Sequence, residues 1–164
     1  MPFNSCKKDE ICDHPGLPCQ THEGKNTFGC LIDGVPFVAE VKFTIGGAVP
    51  VSGQFDESEN FFQIQGTRED ADENLDKISF KAFPTAGIGV YIMDVNTDQY
   101  NGYMDYSGQN CEYFHDLNNK GTVEIKYLDT EKNIISGTFF MTLINPACTK
   151  ESIVITQGRF DFGY

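Results

Sequence analysis

The stretch "CDHPGLPCQTH" sets Cys12, His14, Cys19 and His22 close together. Two thiols and two imidazoles are the ligand set of a structural zinc site. The spacing departs from the common zinc knuckles, and a short segment with two cysteines closes a disulfide more often than it holds metal, so a Cys12 to Cys19 bridge is the preferred reading. Cys111 and Cys148, expected in or beside loops, are candidates for a second bridge. Cys111 also precedes His115 in the manner of a nucleophile and its base, but no third group or helix N-terminus is legible to lower the thiol's pKa. Cys30 sits in an apolar alternation with Phe28 and Ile32 and is expected to be buried as a small hydrophobe.

A second pattern is "DVNTDQYNGYMD", where Asp94, Asn96, Asp98 and Asp105 occupy oxygen-ligand positions of a calcium loop. Gln99 stands where that loop needs glycine, and the run ends in Asp rather than Glu, so an Asx-rich turn explains the same residues. No cofactor is expected, calcium being the one the pattern admits. Tyrosines cluster in the middle third, and Tyr91 and Tyr103 are expected on faces opposite the apolar rows, where a ring with polar neighbours serves sugar or peptide binding. No nucleophile elbow, phosphate loop or HExxH motif is present, and neighbouring acids in an acidic chain do not make a glycosidase.

The elements that position these residues are strands. Phe28, Cys30 and Ile32 alternate with other residues, Asp33-Gly34 supplies a hairpin turn, and Val35, Phe37, Ala39, Val41, Phe43 and Ile45 resume the alternation. Period-2 runs recur at Phe62 and Ile64, at Ile78 to Ala82, at Ile88 to Ile92 and at Tyr100 to Tyr106. "GTVEIKYLDTEKNIISGTFFMTL" reads as a long hairpin turning at Asp129 to Asn133. Near the end the apolar phase slips by one, from Ile153 and Ile155 to Phe160 and Phe162. That predicts a β-bulge at Gln157-Gly158, or a region covered on both faces. The acidic run "REDADENLD" reads as a solvated loop. Altogether the pattern predicts an all-β fold, an antiparallel β-sandwich or small β-barrel of about nine strands, with no room for βαβ crossovers. Residues 1–26 read as an irregular, flexible tether and 27–164 as a single domain.

Composition limits the function. A chain of 164 residues holds one core. Lys and Arg total 12 against 24 Asp and Glu, a formal net charge of −12, which argues against nucleic-acid partners. No apolar run matches a membrane-spanning helix, and the strands carry too many charges on both faces for a lipid-facing barrel. Six cysteines argue for an oxidising compartment. The residues before Cys6 are too few for a signal peptide, so Met1 to Ser5 are read as the remnant of a longer leader.

The opening "NTFGCLIDGVPFV" and the closing "LDTEKNIISGTFFMTLINPACTKESIVITQGRFDFGY" resemble a family of uncharacterised lipoproteins from Bacteroidota. That family's domain begins with a TFG-type strand and ends with an "ISGTF…ITxGRFD" pair. The resemblance covers the two ends of the domain and implies a location, not a reaction. It implies that "SCKKDE" is a lipoprotein junction, with Cys6 acylated and Lys7-Lys8-Asp9-Glu10 a surface-export signal. Two or three acyl chains hold a protein on a bilayer almost irreversibly, whereas one does not. The expectation is therefore an outer-membrane or cell-surface lipoprotein, partnered with the membrane through its anchor. Its body would be a binding or structural module for a glycan or protein ligand. The alternative is an extracytoplasmic hydrolase acting on glycan or peptide.

Overall fold

The structure is a computed structural model that describes residues 10–42, 47–59, 61–82, 87–93, 102–106, 110–116, 118–119 and 121–164. Among the described residues eleven strands form one hydrogen-bonded antiparallel sheet: β1 (Thr27–Ile32), β2 (Val35–Val38), β3 (Val51–Asp56), β4 (Phe61–Glu69), β5 (Leu75–Ala82), β6 (Gly89–Met93), β7 (Tyr103–Tyr106), β8 (Cys111–His115), β9 (Gly121–Asp129), β10 (Ile134–Ile144) and β11 (Ser152–Gly163). The all-β reading holds, and no helix occurs among the described residues. The main path runs β2-β1-β11-β10-β8-β7-β5-β4-β3, with β9 also on β10 and β6 on β9.

Strand β10 is where the sheet forks. Its first part, Ile134 to Phe140, pairs with β9, and its last residues, Leu143 and Ile144, pair with β8. β6 extends the β9 branch, while β7, β5, β4 and β3 extend the β8 branch and curl over. The sheet thereby forms a half-barrel whose concave side is closed by aromatic side chains. Phe80 of β5 lies 4.9 Å from Phe139 of β10, and Phe62 of β4 lies 5.2 Å from Phe160 of β11, centroid to centroid. Phe28 packs on Phe139 at 5.0 Å, and the ring occupies the space a side chain at Gly66 would need. Burying rings of this size is the main driving force for the fold.

Several expectations are refined. Strands β3 and β8 were not legible as strands. In β8 the buried residues are Tyr113 and His115 while Phe114 is 50% exposed, so polarity and burial run against each other. The second strand ends at Val38, leaving Ala39 and Val41 beyond it, and Phe43 and Ile45 lie outside the described residues. The bulge at Gln157-Gly158 is present: Phe139 faces Gly158 but Met141 faces Ile155, and Gln157 has φ of 50°. Ile153, Ile155, Phe160 and Phe162 all return to the core. The other face is covered there too, since Arg159 and Asp161 are 3% and 1% exposed. What covers them is the segment expected to be a free tether. Residues 10–26 lie on the sheet with Leu17 and Thr21 buried, so the tether reading is corrected for that stretch. Residues 1–9, including Cys6, lie outside the described residues.

Candidate binding surface on the outer face of the sheet

The segment 10–26, here the strap, is closed on itself at one point and fixed to β11 at two. Ile11 and Gln20 exchange backbone hydrogen bonds of 3.2 and 2.9 Å, and Cys12 and Cys19 beside them are joined as a disulfide with Cα atoms 4.4 Å apart. Next, the Arg159 guanidinium donates to the Asp13 carboxylate at 2.5 Å and to the Pro18 carbonyl at 3.5 Å. This hydrogen bond holds the Asp13 carboxyl below its ordinary value. Last, the buried Asp161 carboxylate accepts from the Thr21 hydroxyl at 2.5 Å and from the backbone N–H groups of Glu23, Gly24 and Lys25 at 3.0, 2.8 and 3.3 Å. Three successive N–H groups converge on one anion because Gly24 adopts φ of 68°, a left-handed conformation that glycine takes without steric cost.

The zinc reading is thereby overturned. Cys12 and Cys19 spend their sulfurs on each other, and the His22 ring stacks on Tyr127 at 5.2 Å with Nδ1 2.5 Å from the Ser136 hydroxyl. Glu10 lies near the two sulfurs, but disulfide sulfur is not the thiolate a metal needs.

Beside the strap, the outer face of β6, β9, β10 and β11 holds an open cleft of about 440 Å³. Asp13 and Gln20 of the strap form one wall, and Val90 of β6 lies on the opposite side. The floor follows from strand register: Val90 faces Glu124, which faces Thr138, and Ile92 faces Thr122, which faces Phe140. Thr138 donates to Glu124 at 3.2 Å, and Lys126 reaches Gln20 at 3.2 Å, tying the wall to β9. Phe140 is 39% exposed, and Ile88, Val90 and Ile92 are 61%, 64% and 54% exposed. Hydroxyls, amides and a partly exposed ring offer hydrogen bonding and apolar contact. Its described lining contains no cysteine or histidine.

The other expected sites separate. Tyr91 is corrected. On β6 it is Tyr91 and Met93 that turn to the core, and the Tyr91 hydroxyl donates to the Gly87 carbonyl at 2.7 Å, while the isoleucines and valine face water. Tyr103 lies on the outer face as expected, its ring 5.6 Å from that of Phe114. Burial, aided by a hydrogen bond to Glu112, keeps its phenol neutral, with the pKa pushed up to about 12. Cys111 and Cys148 are joined with Cα atoms 6.0 Å apart, so Cys111 is not a nucleophile, and His115 sits buried at the far end of β8. Cys30 is fully buried, and burial pushes its thiol pKa up. Of the calcium pattern, Asp94, Asn96 and Asp98 lie outside the described residues, and Asp105 stands in β7 opposite Lys77 and Glu112.

Two features escape a reading by alternation. The exposed row on β6 has the alternation of a core row, although the lack of charge across residues 82–93 leaves both faces open to either role. Arg159 and Asp161 look like ordinary outward residues between phenylalanines. Comparison with family models, curated proteins and solved structures returns no match to this chain.

Proposed function

We propose that this chain is an extracytoplasmic binding module, held at the outer membrane or cell surface through acylated Cys6, which takes a glycan or peptide ligand on the outer face of β6, β9 and β10. The observation that carries the binding part is the cleft itself. It is built on paired strands and walled by a disulfide-closed strap, and beside Phe140 it presents the hydroxyls of Thr122 and Thr138 and the amides of Gln20 and Gln157 together with the charged Asp13, Glu124 and Arg159. Aromatic and apolar faces next to amides and hydroxyls suit a sugar ring or an extended peptide. Two disulfides support a compartment outside the cytoplasm, where they persist. The anchor rests on the sequence "SCKKDE".

Glycan and peptide arrays probed with the oxidised protein test the binding reading. Ligands retained by the native chain are expected to be lost by Phe140→Ala and by Glu124→Gln, while both variants keep native circular dichroism. Ligands that survive both changes place binding elsewhere. Labelling with a palmitate analogue during expression from the natural gene tests the anchor: the label should require Cys6, and a cytosolic, unlabelled chain with reduced cysteines defeats it.

A further inference from the structure

The β6 strand has β9 on one side and, among the described residues, no strand on the other. Alternate residues of a paired strand direct N–H and C=O groups away from their partner, so the side of β6 away from β9 carries a row of backbone groups that no strand among the described residues pairs. Proteins normally guard such an edge with lysine, proline, a bulge or a covering loop. Within β6 there is no lysine or proline, and its pairing with β9 is regular from Gly89 to Met93, without a bulge. The edge also carries Ile88, Val90 and Ile92, each more than half exposed.

The charge distribution selects the occupant. The chain carries a net charge of −12, so two copies repel over most of their surfaces, yet residues 82–93 contain no charged side chain. The β6 edge is a place where two copies meet without bringing carboxylates together. Its sequence is also self-complementary about Val90. In an antiparallel pairing of β6 with a second β6, Val90 lies on the two-fold axis and faces its own copy, Ile88 faces Ile92, and Gly89 faces Tyr91. One face of the joint is then wholly apolar. On the other, glycine leaves room for the tyrosine ring, whose hydroxyl is already held by Gly87 of its own chain.

We infer that the β6 edge is a self-association site, at which a second copy of this chain pairs antiparallel to it with Val90 on the dyad. The joint extends the β9 branch of the sheet across two molecules. Because only a short strand pairs, the dimer is weak and concentration-dependent, below the usual size of a stable interface. Because the surrounding charge is of one sign, added salt strengthens it, opposite to an interface made by ion pairs.

Sedimentation equilibrium of the oxidised full chain at low and high salt tests this. A monomer–dimer equilibrium is expected that tightens with salt, and Val90→Lys should weaken it by roughly tenfold or more while urea unfolding and circular dichroism stay native. Register is tested by crosslinking. Val90→Cys should form a disulfide-linked dimer with itself, because both copies meet on the dyad. Ile88→Cys alone should not, since its partner position is 92, whereas Ile88→Cys mixed with Ile92→Cys should give the heterodimer. A monomer at every concentration overturns the proposal, as does a dimer that Val90→Lys leaves intact. Ile88→Cys linking to itself overturns the register.

Discussion

Asp161→Asn isolates what holds the strap. The change keeps the side chain's shape but removes its charge and turns one acceptor oxygen into a donor amide. The native carboxylate is 1% exposed and accepts from Thr21 and from the N–H groups of Glu23, Gly24 and Lys25. Hydrogen bonds to a buried charge contribute about 1.5 to 3 kcal/mol each, so a simple sum over this cradle approaches the whole stability of a domain, about 5 to 15 kcal/mol. The sum is not reached, because the strap lifts away first and lets its N–H groups find water. The loss is therefore capped by the strap's own docking free energy. We expect opening of the strap to become easier by about 3 kcal/mol, which is roughly a hundredfold faster exchange of the Glu23, Gly24 and Lys25 amides. Hydrogen exchange on the oxidised protein reads this directly. The β10 and β11 amides should slow or quicken far less, since the aromatic core beneath them is untouched. Unchanged protection at residues 23–25 refutes the cradle as the anchor, and an equal loss across strap and sheet refutes the strap as a separately docked unit.

Four further outcomes follow from the same structure. Removing the Cys111–Cys148 bridge, whose cysteines are 37 residues apart, should cost about 4 kcal/mol in urea unfolding, against about 2.5 kcal/mol for Cys12–Cys19 with a separation of 7. Gly66→Ala should cost about 1 to 3 kcal/mol by overpacking, because the new methyl meets the Phe28 ring inside the core. The Arg159 hydrogen bond lowers the Asp13 carboxyl below 3.8 in the folded chain, so its contribution is complete above that value and is lost as pH falls through the depressed one. The side-chain carboxyl carbon of Asp13 should hold its chemical shift from neutral pH to about 4 and titrate only below that; its titration at higher pH contradicts the assignment. Cys30 should resist iodoacetamide in the native protein and react on unfolding, since it is fully buried with its thiol pKa raised.

The amino-acid sequence by itself determined the class of fold, because period-2 alternation leaves little but antiparallel strands when turn residues punctuate it so often. The Asp33-Gly34 hairpin, the long β9–β10 hairpin and the slip at Gln157 were all legible from side-chain phase, which is a local property. So were the two cysteine pairs, as candidates. Which face of a strand meets the core was decided only by tertiary structure wherever both phases are apolar or both mixed. On β6 the choice between Tyr91 with Met93 and the isoleucine–valine row depends on a core that β4, β5 and β10 build from distant parts of the chain. The same holds for the strap. Nothing local distinguishes a polar tether from a docked one; what ordered it was a buried aspartate 136 to 140 residues away whose charge needed donors that the strap's backbone could supply.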